Sequence, residues 1–277
     1  MRTTLPSSIT VVMSLLTHFA RIHSLCSHRS YSASAWRSSR NVLNLSENDQ
    51  KFLDNGERIV RHTNESMSIA GKEKCRRCWF YKSMCICSRV ADLTRGASPI
   101  STDIALFMHF KEYGKTTNTG KLVQLIAEDE RCKTYVYGTA NADVELINMC
   151  RDESKQPVLL YPTADSIPIS EFRKKEQQKK LVLCIIDSTW GQSKAMNRWF
   201  PDSVPRVHID DFVQGKSLFL SRKQSVISSR VSTLEAIEKA LLSLGESASA
   251  VAPLIPALKL SVDVSPCSSL KTYYMIP

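Results

Sequence analysis

The chain has 277 residues, enough for one sizeable α/β domain with extensions or for two small domains. Its apolar fraction, 43%, is ordinary for a globular protein, and no apolar run approaches the ~20 residues that span a bilayer, so no membrane helix is expected. The net charge of +10 favours a polyanionic partner, although five of the 37 basic residues and none of the 27 acidic ones fall in the first 46, which leaves 32 against 27 beyond them.

Residues 1–46 are rich in Ser and Arg, with Glu47 the first acid, and read as a mitochondrial or plastid transit peptide or a disordered leader. The apolar patch Ile9–Leu16 makes a secretory signal the rival. A start at Met13 or Met67, or an unprocessed leader, would instead leave the protein in the cytoplasm or nucleus. Residues 47–73 are polar, mixed in charge and weakly periodic, and are expected to be a linker or a short helix.

Nine cysteines, an odd number scattered along the chain, do not make a disulfide scaffold. Four of them cluster. Cys75, Cys78, Cys85 and Cys87 have the spacing C-x2-C-x6-C-x-C, and four thiolates so close can surround one Zn²⁺ tetrahedrally. Lys74, Arg76, Arg77 and Lys82 would help offset the −2 charge of such a centre. With all four positions filled by protein, the metal would be structural; free or redox-active thiols are the alternative.

Beyond the cysteines, strands and helices alternate. Asp103–Phe110 reads as a buried strand ending at His109 and Glu112, either an acid/base pair or ordinary strand-end hydrogen bonding. The turn 113–120 lacks the glycine spacing of a P-loop, and residues 121–129 read as helix. Strands are expected at 131–137 and 156–162, and residues 171–180 form a basic loop or helix. Leu181–Ile186 is a short run rich in β-branched residues, as in a strand buried on both faces, and Cys184 within it is a small core hydrophobe. Asp187 follows at the strand's carboxyl end, and Thr189 with Gln192 has capping-box spacing, so a helix begins there. A carboxylate beside a helix N-terminus at that edge lies where open α/β sheets bind ligands; a plain cap and a core Trp190 are the competing reading.

A strand at 205–210 precedes the clearest helix, 231–245. There Ser232 and Glu235 form a capping box, Leu234, Ile237, Leu241 and Leu244 share a face, and Gly245 supplies the stop. The tail 247–277 is small, Pro-containing and poorly periodic. The pattern predicts an α/β fold with a mainly parallel sheet, whose strand ends at His109–Glu112, Tyr161–Pro162 and Asp187–Trp190 converge at the carboxyl edge.

Read in order, the short motifs carry a resemblance. Cys75/Cys78 with Cys85/Cys87, His109 with Glu112, Asn118-Thr-Gly-Lys121, Leu160-Tyr-Pro162, Asp187-Ser-Thr-Trp190, Arg222-Lys-Gln224 and Ser232-Thr-Leu-Glu-Ala236 follow the signature sequence of the DTW-domain family across roughly residues 75–245. Each is weak alone; the ordered set is highly specific. The resemblance implies a domain over 74–246 with a SPOUT-like, possibly knotted fold and a small cysteine-rich element of zinc type at its N-terminus. It also implies a tRNA-uridine aminocarboxypropyltransferase, which moves the 3-amino-3-carboxypropyl group of S-adenosylmethionine to N3 of a tRNA uridine and releases methylthioadenosine.

On that resemblance Asp187 is the candidate base or orienting group, and Trp190 stacks on adenine or uracil. Tyr161, Pro162, Thr189, Ser232, Thr233 and Leu234 are candidates to bind the co-substrate, and Lys111, Lys115, Lys121, Arg222 and Lys223 to contact tRNA phosphates. Structural zinc is expected on the four cysteines; no membrane association and no protein partner is evident. Phe110 and Ser225 stand where the family commonly has Pro, and Lys121 where it has Arg. A methyltransferase acting on RNA with the same co-substrate, and a zinc-bearing RNA-binding protein without catalysis, are the alternatives.

Overall fold

Six parallel strands make one sheet: β1 (Asp103–His109), β2 (Cys132–Tyr137), β3 (Lys155–Leu160), β4 (Ile167–Pro168), β5 (Lys180–Asp187) and β6 (Arg206–His208), in the order β2-β1-β5-β3-β6-β4. These belong to a computed structural model describing residues 46–71, 73–127, 130–175, 179–209 and 232–265. The mainly parallel α/β sheet expected from the sequence is therefore present. The resemblance also implies a co-substrate site built of loops between Tyr161 and Glu235, and of that stretch residues 210–231 lie outside the described residues.

β5 lies between β1 and β3, and against β1 Asp103 faces Val182 and Met108 faces Asp187. Both faces of β5 are covered, which explains its unbroken apolar run. Leu183 and Ile185 join Ile104, Leu106 and Met108 on one face, and Val182 and Cys184 join Ala105, Phe107 and Leu159 on the other. The chain leaves β1 toward β2 and leaves β5 toward β6, in opposite directions across the sheet. Their carboxyl ends therefore flank a topological switch point, the usual place for a ligand crevice.

The helices are α1 (Glu47–Ser66), α2 (Cys87–Thr94), α3 (Lys121–Ile126), α4 (Ala140–Arg151), α5 (Ile169–Lys175), α6 (Trp190–Asn197), α7 (Thr233–Ser243), α8 (Ala248–Val251) and α9 (Leu254–Val264). Helices α2 and α8 fall where none was expected, and three longer ones differ from expectation as well. Residues 47–73, read as linker or short helix, hold a twenty-residue helix opened by a capping box of Ser46 and Asp49. Its inward side is carried by Leu53 and Gly56, with half-buried Phe52, Ile59 and Val60 beside them, in a run otherwise dominated by polar and charged residues. Gly56 lies against the Gly138 carbonyl so closely that a Cβ would overlap it, and Phe52 packs edge-on to Phe110. Helix α4 was not expected, because Asp143 occupies its buried stripe with Ala140, Leu146 and Met149. Helix α9 lies in the stretch read as poorly periodic. Pro253 and Pro256 look like breakers, yet both fall at its first turn, where no backbone hydrogen bond is lost, and Leu254, Ala257, Leu258 and Ser261 form its buried face.

Helix α7 starts with the expected capping box: Ser232 N–H donates to Glu235 (2.6 Å) and Glu235 N–H donates to Ser232 Oγ (3.3 Å). It ends at Gly245, whose φ of 89° only glycine adopts without strain, with Glu246 N–H reaching back to the Leu241 carbonyl. Glu246 then latches the entry to β1. It accepts from Ser101 N–H (2.9 Å), Ser101 Oγ (2.7 Å), Thr102 N–H (2.5 Å) and Thr102 Oγ1 (2.7 Å). Partial burial raises its pKa, but these four hydrogen bonds outweigh that and leave it below the ordinary value. Glu246→Ala strands two backbone donors and is expected to cost about 2 kcal/mol and about 4–8 °C in Tm at pH 7. Because the folded pKa is depressed, the latch contributes above the unfolded carboxylate's pKa and is lost as pH falls through the folded value. The gap between wild type and variant in urea melts should therefore close below about pH 4.

Candidate functional site

Asp187 ends β5 with its side chain on the face shared by Leu183 and Ile185, 4% exposed. Two segments remote in sequence hold it. Asn118 donates from Nδ2 to Oδ2 (2.5 Å), and Thr233, the first residue of α7, donates from Oγ1 to Oδ1 (2.7 Å). Asn118 is itself fixed, since its Oδ1 accepts the backbone N–H of Lys121 (2.9 Å). Between them, Gly120 lies so close that a Cβ would sit 2.5 Å from Asp187 Oδ2 and 2.9 Å from its Cγ. The Asn-Thr-Gly turn is thus read by its backbone approach as much as by its amide.

Beside this clamp opens a cavity of about 610 Å³. Tyr161, Pro162, Ser232 and Thr233 line it, with Trp190 at half exposure on its wall. Asp187 does not line it. Thr233 touches both: it lines the cavity and its hydroxyl donates to Asp187. Two other expected residues lie elsewhere. Thr189 caps α6, its N–H and hydroxyl both donating to Gln192 Oε1 (3.0 and 2.9 Å), and Leu234 is fully buried in the core. Ile185 and Ile186 give the cavity apolar walls.

His208 and Ser166 also line it and were not singled out from sequence, although His208 falls at the end of an expected strand. Ser166 Oγ donates its one proton to the Thr163 carbonyl (2.8 Å) and accepts from Thr163 N–H (3.1 Å). Ser166 Oγ and His208 Nδ1 are also 3.0 Å apart, a contact whose direction follows the tautomer of the ring. His109, by contrast, is a strand-end residue: Nδ1 accepts the Lys111 N–H (3.0 Å), and burial, aided by Lys111 and Lys115, pushes its pKa down to about 4. Glu112 pairs with Lys115 (2.9 Å) rather than with His109.

The four clustered cysteines meet as their spacing predicted. All four Sγ lie within 4.8 Å of one another, with Cys75–Cys87 at 3.6 Å and Cys78–Cys85 at 3.7 Å. A tetrahedral Zn–S bond of ~2.3 Å requires sulfurs about 3.8 Å apart, so the set fits one ion. The hydrogen bond from Cys87 holds the Cys78 thiol down at about 4 and pushes Cys87 itself up.

Lys121 corrects an expectation. Its side chain is fully buried and cannot meet a phosphate outside. Nζ donates to the Thr116 carbonyl (2.8 Å) and lies 4.4 Å from the Phe80 ring centre and 5.4 Å from that of Trp79. Burial pulls its pKa down to about 7. Lys111 and Lys115 are exposed, and Arg222 and Lys223 lie outside the described residues.

The clamp makes a stability prediction. Gly120→Ala must push Asp187 off Asn118 and should lower the urea midpoint by the equivalent of about 1–3 kcal/mol. Gly191→Ala, in α6 with open space around it, should leave the midpoint unchanged or raise it slightly.

The sequence was compared with known proteins. A stretch of 130 residues is 30% identical to a Drosophila melanogaster protein named tRNA-uridine aminocarboxypropyltransferase 2, covering 45% of this chain and 48% of that one. Proteins of the same name from Mus musculus (27% over 125 residues) and Macaca fascicularis (28% over 127 residues) each match 44% of this chain and 40% of their own length. The chain thus spans less than half the length of these relatives. No solved structure matches. The family profile described as "DTW domain" matches residues 72–265, from the cysteine cluster through α9, and the chain therefore belongs to the DTW-domain family.

Proposed function

We propose that this protein transfers the 3-amino-3-carboxypropyl group of S-adenosylmethionine to N3 of a uridine in tRNA. The observation that carries the reading is the placement of the family's Asp187 and Trp190 motif. It sits at the switch point of the sheet, beside a cavity walled by Tyr161, Trp190 and Thr233. The relatives named for this activity support it.

S-adenosylmethionine supplies an electrophilic Cγ next to a sulfonium. In the overall step, uridine N3 loses its proton, the N3–Cγ bond forms, and the Cγ–S bond breaks with its electrons left on sulfur as methylthioadenosine. The residues of this chain divide the rest. The cavity fits a nucleoside with a short polar chain, since its apolar walls meet polar groups at Ser166, His208 and Thr233. Trp190, half exposed at the wall, offers a ring face for stacking a base. Asp187 acts through Thr233: its Oδ1 takes the Thr233 hydroxyl proton, so the Thr233 oxygen is free to accept a hydrogen bond from the N–H of the reacting base. A proton leaving that base has a two-bond route to a buried carboxylate. Because Asn118 holds the other oxygen, the carboxylate cannot turn away.

The test is incubation of the full chain with an unmodified tRNA transcript and S-adenosylmethionine, followed by mass spectrometry of the nucleosides. A uridine gaining an aminocarboxypropyl group is expected, with methylthioadenosine as co-product. Asp187→Asn and Thr233→Val should each lower the rate at least 100-fold, the scale of general acid–base loss, while tRNA binding persists. A methyl-sized gain, or no gain over a panel of tRNAs, overturns the reading.

The cysteine set is proposed to hold structural zinc. Metal analysis should find one zinc per chain, and Cys78→Ala should lose it together with a large part of the stability of the domain. Because Lys121 rests on Phe80 and Trp79 of the same turn, this variant should also slow transfer, with no metal at the reacting atoms.

A further inference from the structure

A second cavity, about 810 Å³, opens on the flank of α3 and is not part of the site above. Its walls are the turn between Cys75 and Cys78, residues 97–100 leading into β1, the end of α3 and the start of α9. Arg76 and Arg77 stand at its rim, both exposed, and Arg76 is steadied by a hydrogen bond to Ser68 Oγ (3.1 Å). Ile100, Ala127 and Ala250 are buried and give it an apolar floor, and Gln124 lines its side.

The segment that carries Arg76 and Arg77 also carries the charge surplus of the chain. Residues 72–95 contain seven basic and two acidic residues, and that surplus of five equals the entire surplus of the chain beyond residue 46, where 32 basic residues face 27 acidic ones. Everything else beyond the leader balances. Both acids of the segment are neutralised, Glu73 by Lys82 (2.5 Å) and Asp92 by Arg95 (2.6 Å). A tetrathiolate centre would carry −2 and cancel only part of the surplus. A basic rim over an apolar floor, with an amide alongside, is complementary to a nucleic acid strand with an unstacked base.

We propose that this cavity docks the tRNA substrate away from the reacting uridine, with phosphates on Arg76 and Arg77 and an unstacked nucleotide on the floor beside Gln124. The inference rests on tRNA being the substrate. The docked nucleotide is not the one that reacts. Ile100 precedes the amino end of β1, whereas Asp187 lies opposite Met108, about 16 Å further along the strand direction at ~3.3 Å per residue. The turn that carries both arginines is closed by Trp79 N–H on the Cys75 carbonyl (2.8 Å) and Cys75 N–H on the Phe80 carbonyl (2.7 Å).

The test measures the affinity of the full chain for an unmodified tRNA transcript between 50 and 200 mM salt, for wild type, the double variant Arg76→Gln/Arg77→Gln, and Gln124→Glu. Zinc content and Tm confirm that each is folded, and Gln124→Glu leaves the cysteine turn untouched. The double variant should bind about tenfold more weakly, with its salt slope reduced by about 1–2. Gln124→Glu should weaken binding several-fold, and affinity for S-adenosylmethionine should not change in either. Wild-type affinity and slope in both variants, from a protein that binds tRNA and modifies it, would sink this inference alone. A wild type that binds no tRNA removes the functional reading as well. Displacement of tRNA by uridine monophosphate at comparable concentrations would overturn RNA docking in favour of a free-nucleotide site.

Discussion

The carboxylate of Asp187 joins three segments that the chain order keeps apart: the end of β5, the turn before α3 and the first residue of α7. A carboxylate 4% exposed is costly unless its oxygens are satisfied, and here each accepts a short hydrogen bond from a side chain that is itself fixed. Asn118 is held by the Lys121 N–H, and Thr233 by the capping box that starts α7. The fold around the switch point depends on this clamp. Without it neither the turn at 115–120 nor the start of α7 has a partner across the sheet edge, and the wall of the 610 Å³ cavity loses its reference point.

A second chain of contacts runs from the cysteines to the same carboxylate. Cys75 N–H bonds to the Phe80 carbonyl (2.7 Å), closing the turn that places Phe80 and Trp79, the latter at a φ of 61° that a bulky side chain rarely adopts. Those rings flank the Lys121 ammonium, whose remaining donors go to the carbonyls of Thr116 (2.8 Å) and Lys115 (3.3 Å). Burying an ammonium costs several kcal/mol unless such partners are present. The result is a rigid path from metal-type turn to lysine to loop to Asn118. The cysteine turn is thereby linked to the residue that clamps Asp187.

Much of this was legible in the sequence. The central strands showed as short apolar runs because both faces of the sheet are covered, and the capping boxes at Thr189 and Ser232 fixed two helix starts from side-chain spacing alone. What escaped has physical reasons. Asp143 sits in the buried stripe of α4, and the prolines of α9 look like breakers until the helix start is known. In the site, the position of Asp187 was readable but not its direction. Alternation puts Asp187 on one face of β5 and Ile186 on the other, but residues of both faces, Ile185 and Ile186, line the cavity while Asp187 turns onto Asn118 and Thr233, which spacing alone does not show. Lys121 is the reverse case: a lone basic residue reads as surface, and its aromatic partners lie forty residues upstream.

The choice of Cγ over methyl in the proposed transfer has to come from holding, since a sulfonium activates all three attached carbons. The cavity offers the exposed face of Trp190 and polar groups at Ser166 and His208 to the co-substrate, while the hydroxyl of Thr233, backed by Asp187, is left for the reacting base. Rigid backing matters more here than strong binding, because a shift of an ångström would bring a different carbon into line. That is the service of the Asn118–Asp187–Thr233 clamp: it supplies no new contact to the ligand but removes the freedom of the residue that does.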